Sequence, residues 1–149
     1  MQSSIADATK TLKEFFTARF LNDERYWRYG DASDKAYAAG QDLPQRLEME
    51  NEILRHAELI RSQYISRNAP MVEEIGLRAS DPAQYDPNTE QVVRTEVITP
   101  DTLDIYTDAI ATWGPSKRRY RMVFEDGSWK IHALWVYFAD VQAYEQRDI

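Results

Sequence analysis

The chain has no cysteine, which excludes disulfides, thiolate zinc sites and a cysteine nucleophile within it. Histidine is scarce: His56 and His132 are the two present, and neither belongs to a His-x-x-x-His or related spacing, so the usual zinc-ligand arrangement is missing. The five glycines form no Gly-x-Gly-x-x-Gly, P-loop or Gly-x-Ser-x-Gly pattern, and phosphate-cradle and serine-hydrolase readings fall away with them. No apolar run approaches the ~20 residues of a membrane span. The opening "MQSSIADATK" lacks the basic and apolar regions of a signal peptide. A soluble cytoplasmic protein is the resulting expectation. No repeat, low-complexity tract or heptad pattern occurs, and a length of 149 residues fits a single domain spanning 1–149 that needs no metal or disulfide staple.

Positive charge is also in deficit. With 25 acidic against 18 basic side chains the net charge is −7, a field that repels polyphosphates and argues against nucleic-acid binding. The imbalance is local. Residues 81–110 hold Asp81, Asp86, Glu90, Glu96, Asp101, Asp104 and Asp108 against Arg94 alone, whereas Lys117, Arg118, Arg119, Arg121 and Lys130 outnumber the acids of 115–130. Solvated strand faces are the simplest account of such runs.

Helical spacing dominates the first half. "SSIADATKTLKEFFTARFL" sets Ile5, Ala8, Leu12, Phe15, Phe16 and Phe20 on one face, with Ser4 and Asp7 as a capping pair. The aromatics of "ERYWRYG" follow as the rim of a core, with Trp27 a packing residue. A separate short helix is expected over "DASDKAYAAG", with Asp31 or Ser33 as its N-cap and Gly40 as its stop. After Pro44, Met49, Ile53, Ala57, Ile60 and Tyr64 mark the apolar face of a longer helix, and His56 lies beside that stripe.

Beyond "RNAP" the period changes from helical towards two. "MVEEIGLRA", "EQVVRTEVIT", "DTLDIYTDA", "RRYRMVFED" and "SWKIHALWVYF" read as strands separated by Pro, Gly, Asp and Asn. Helices followed by strands give an α+β expectation. Asp126-Gly127 supplies a hairpin turn. In the last strand, strict alternation puts Trp129, Ile131, Ala133, Trp135 and Tyr137 on one face and Leu134, Val136 and Phe138 on the other, so both faces are apolar.

Two site readings arise from these residues. The first is a protein-contact surface over the acidic stretch, in which aromatic rings give area and carboxylates steer a basic partner; its members are Tyr85, Asp86, Glu90, Glu96, Asp101, Asp104, Tyr106, Asp108 and Trp113. The second is an acid–base pair of His132 with Asp104 or Asp108, set against the plainer reading of a half-exposed strand histidine.

The order of elements, the "DPAQYDPNTEQV" loop with Pro82, Tyr85, Asp86 and Glu90, and the "RRYRMVFEDGSWKIHAL" hairpin with Tyr120, Gly127, Trp129 and Ile131 resemble a known family. They look like the nuclear transport factor 2-like fold, specifically the immunity proteins of bacterial polymorphic toxin systems. The resemblance covers nearly the whole chain. It implies helices packed in a strongly curved, cone-shaped mixed sheet, and a protein that binds and neutralises a cognate toxin domain without cofactor, metal or catalytic residue. A small-molecule binder or isomerase/dehydratase-like enzyme of the same fold is the alternative. A homodimer through a sheet-to-sheet contact of the apolar last strand is a further possibility.

Overall fold

The computed structural model describes residues 2–79, 83–111 and 113–149; the loop positions Asp81 and Pro82 lie outside them. Two helices precede five strands: α1 (Gln2–Ala38), α2 (Arg46–Tyr64), β1 (Gln91–Thr99), β2 (Thr102–Ala111), β3 (Gly114–Glu125), β4 (Ser128–Phe138) and β5 (Ala143–Arg147).

α1 is one continuous helix where the sequence suggested two. Asp31 and Ser33 are interior positions, not caps, and Ser4 and Asp7 lie past the helix start. Gly30 costs about 1 kcal/mol relative to alanine inside a helix, too little to break one that carries no proline. The stop at Gly40 holds. Gly40 adopts φ 68, and Gln41 N–H donates to Ala36 O at 2.9 Å, the six-to-one bond of a glycine-terminated helix end. α2 returns along α1, tied by Asn22 Nδ2 donating to Ile53 O at 3.2 Å and Tyr29 O–H donating to Glu50 at 2.8 Å.

The helix pair packs on one face of the sheet. Ala8, Leu12, Phe15 and Phe16 of α1 and Ile60 and Tyr64 of α2 meet Leu103, Ile105, Tyr120, Met122, Ile131, Leu134 and Val136. Tyr85 fills the centre of this core, stacked 5.9 Å from Phe16 and edge-on at 4.8 Å to Phe15.

The strands run β1-β2-β3-β4-β5 in space as in sequence, each pair antiparallel. This overturns the cone. The chain is α+β, but its sheet is a meander that is neither mixed nor strongly curved and closed, so the resemblance to the nuclear transport factor 2-like fold does not hold. The connections explain why: β1 to β2, β2 to β3 and β3 to β4 each turn within a two-residue gap, whereas a parallel neighbour needs a crossover of a dozen or more residues. The parallel contact seen is the isolated bridge Ile65↔Ile131.

"MVEEIGLRA" is not a strand. Its Glu73 is held by Arg19 at 2.9 Å and Arg78 at 3.8 Å, and it crosses the helices as irregular chain. β5, unforeseen from the sequence, pairs with the second half of β4.

A bulge in β4 also resets its parity. Arg121 pairs with Ala133 but Met122 with Ile131, which leaves His132 as the extra residue. Trp129 and Ile131 therefore share the helix-facing side with Leu134 and Val136. Ala133, Trp135 and Tyr137 turn to the opposite face, so the alternation expected across the whole strand fails at one residue.

Candidate functional site

The sheet face turned away from the helices carries alternate residues of all five strands. From β1 come Arg94 and Glu96, from β2 Asp104, Tyr106 and Asp108, and from β3 Lys117, Arg119 and Arg121. β4 adds Trp135 and Tyr137, and β5 adds Tyr144.

These side chains are interleaved. The Arg94 guanidinium lies 3.8 Å from the Tyr106 ring centroid, and that of Arg119 lies 4.1 Å from Trp135 and 5.5 Å from Tyr144. Tyr144 in turn meets Tyr137 and Tyr106 edge-on at 5.3 and 6.2 Å. A cation over an aromatic face is attracted by the ring quadrupole.

Asp104 is 1% exposed although it lies on this outer face. Arg121 grips it with Nε at 2.9 Å and Nη2 at 3.0 Å, the bidentate geometry that makes such pairs strong. Arg119 Nε stands 4.0 Å from the second carboxylate oxygen. It is buried with no hydrogen-bond partner among the described residues.

The other acids of the face are paired as well. Lys117 Nζ approaches Asp108 at 3.4 Å, and Glu96 accepts from Tyr106 O–H at 3.4 Å with Arg94 at 3.8 Å. Residues far apart in the acidic and basic stretches of the sequence thus sit opposite one another in register. The face carries no surplus of negative charge.

The nine positions singled out from the sequence divide into groups. Glu96, Asp104, Tyr106 and Asp108 come together on the outer face. Tyr85 and Glu90 are buried on the helix side and cannot touch a partner directly. Asp86 organises the loop before β1, its Oδ1 accepting from Asn88 N–H at 2.9 Å. Asp101 lies in the β1–β2 turn and Trp113, 68% exposed, in the β2–β3 turn. Sequence reasoning passed over Arg119, Tyr137 and Tyr144 as site residues. The signal available for the first was its place two residues from Arg121 on a period-two strand.

Glu90 instead anchors a second cluster. Its Oε2 accepts from Tyr120 O–H at 2.5 Å and Thr107 O–H at 2.6 Å, and its Oε1 from Arg118 Nη1 at 2.8 Å. Burial pushes the Glu90 carboxyl above its ordinary pKa, while Arg118 and the two hydroxyls pull it back. For Arg118 burial works against the charge, and the neighbouring Tyr120 and Glu90 outweigh it, holding the guanidinium firmly protonated.

His132 makes no hydrogen bond to Asp104 or Asp108; Asp104 pairs with Arg121 and Asp108 with Lys117. No group of three or more His, Asp or Glu among the described residues could hold a metal ion, and none of the described helices is long and apolar enough to cross a membrane. No protein-family model, curated protein or solved structure matches the chain.

Proposed function

We propose that this chain works by binding another protein through the outer face of its sheet, and that the bound segment sets a carboxylate against Arg119. The observation that carries this reading is the state of Arg119. Its guanidinium is held over Trp135 and beside Tyr144, yet its Nε has no acceptor among the described residues. The part of the Arg119 side chain that a partner can reach, 25% of it exposed, donates to no described residue, and a partner carboxylate placed there gains charge-assisted hydrogen bonds. Tryptophan, tyrosine and arginine are also the residues in which protein-binding energy concentrates.

Neutralisation of a toxin domain is the form of protein binding adopted here. An inhibitor of that kind needs a contact face and no reacting group. The outer face supports protein binding, and the titration below decides whether a toxin domain is the protein bound. With Asp104 and Asp108 opposite Arg121 and Lys117, and Glu96 beside Arg94 of its own strand, steering of a basic partner gives way to aromatic burial around one arginine fork.

The test is calorimetric titration with the C-terminal domain encoded by the gene immediately upstream, inactivated by mutation where toxic. Tight one-to-one binding is expected, weakened about 30-fold or more in Arg119→Ala and in Trp135→Ala, the loss that a hot-spot residue produces. A folded partner that does not bind, or unchanged affinity in both variants, contradicts the proposal. Self-association through the same face would show as a concentration-dependent dimer without the partner, and would equally contradict it.

A further inference from the structure

On the opposite face of the sheet, past the rows that the helices cover, a cavity of about 480 Å³ opens between β4, the Ala83–Gln84 loop and the β2–β3 turn. This volume falls within the ~300–1,000 Å³ typical of small-molecule sites. Its apolar wall is Leu134, Val136 and Phe138, and Trp113 stands at its mouth. The Trp113 indole is 68% exposed.

One polar group of the wall comes from the interior. Arg118 is 4% exposed, and all its hydrogen bonds to described residues leave from Nη1, to Gln84 O, Glu90 and the Tyr120 hydroxyl. Nε and Nη2 donate to no described residue, and Arg118 lines the cavity. An arginine serving Glu90 alone would need only the bonded edge. This one offers a second edge to the cavity, with its orientation fixed by the Glu90 cluster. Arg147 adds a second guanidinium at the rim, 4.8 Å over the Phe138 ring, and Asp148 is the one carboxylate among the lining residues.

We infer that this cavity binds a small amphipathic monoanion, with its apolar body on Val136 and Phe138 beside Trp113 and its anionic group on the free edge of Arg118. The site is distinct from the outer face, and neither depends on the other. A planar arginine fork recognises a carboxylate in two-point fashion, while the apolar wall rewards a hydrocarbon or aromatic body.

The experiment titrates the full chain, labelled with nitrogen-15, with naphthylacetate and with its neutral amide, naphthylacetamide. The Trp113 indole N–H signal, assigned from Trp113→Phe, is the reporter. Naphthylacetate should shift that signal and the amides of Val136 and Phe138 saturably, and bind at least ten times more tightly than the amide. Arg118→Lys should remove the preference for the acid. Should that variant fail to fold, Ala111→Leu fills the cavity from its wall and should abolish binding of both compounds. Equal affinity for acid and amide overturns the anion assignment. Absence of saturable shifts, or shifts centred on Trp135 instead, overturns the site.

Discussion

Tyr120 donates its hydroxyl hydrogen to Glu90 at 2.5 Å, joining the middle of β3 to the residue just before β1 across a neighbouring strand. Thr107 of that intervening strand donates to the same oxygen at 2.6 Å. Glu90 therefore fixes how the edge of the sheet enters the core. Its side chain is fully buried, and that of its partner Arg118 is 5% exposed.

This cluster should respond asymmetrically to mutation. Arg118→Met leaves a buried carboxylate without its counter-charge, which typically costs about 3–5 kcal/mol. Glu90→Gln combined with Arg118→Met removes both charges and should recover most of that loss. Urea unfolding of the single and double variants measures it, and equal losses in the two would show that the ion pair is not the coupled unit described.

Asp23 gives the fold a defined pH dependence. It is 5% exposed, and its pKa is raised from 3.8 to about 6 by burial, with Arg19 opposing and Glu73 reinforcing the shift. The folded state thus binds the proton more tightly than the unfolded chain. This contribution is fully present below about pH 4 and is lost as pH rises through about 6. Asp23→Asn should flatten the stability profile across that window and stabilise the protein at neutral pH by on the order of 2 kcal/mol. Thermal unfolding between those pH values checks this, and an unchanged slope contradicts it.

The β3–β4 turn places both central residues at positive φ, Asp126 at 51 and Gly127 at 82, as a two-residue type I′ hairpin requires. Gly127→Ala should cost roughly 1–2 kcal/mol because its Cβ crowds the following carbonyl. Asp126→Asn, whose side chain tolerates the left-handed region, should be close to neutral. Chemical denaturation of the two variants tests this difference.

His132 is the additional residue of the β4 bulge. His132→Ala keeps the residue count of the bulge and removes only a half-buried side chain, so it should cost about 1 kcal/mol or less. Deletion of His132 should prevent folding, because a one-residue slip sends one half of the strand's apolar set to the wrong face. Circular dichroism distinguishes the two. A folded deletion variant would show that the bulge does not set the register.

Period and punctuation in the sequence announced individual elements of this architecture but not the sheet they form. The apolar stripe of α1 through Phe16, the face of α2, the order of four strands and the Asp126-Gly127 turn were all legible. What stayed hidden depends on contacts between distant residues. Strict alternation could not show that β4 skips a residue at His132, since the bulge is defined only against Arg121 and Met122. "AYEQR" is too short and polar to read as a strand, and forms one because half of β4 needed a neighbour. The acidic stretch looked unopposed because its bases, Lys117, Arg119 and Arg121, come a strand later in the chain and meet it only through register. Tyr85 and Glu90 looked like surface residues in a polar loop. Their burial follows from Phe15 and Phe16 on one side and Arg118 on the other.

A protein partner bound as proposed meets the outer sheet face and leaves its footprint there. The direct measurement is an NMR footprint of the labelled chain saturated with the inactivated upstream-encoded domain, read at the indole N–H signals of Trp135 and Trp113. Binding as proposed perturbs Trp135 together with the amides around Arg119, Tyr137 and Tyr144, and leaves Trp113 unmoved. Perturbation confined to Trp113 and the loop before β1, with Trp135 unchanged, would contradict it.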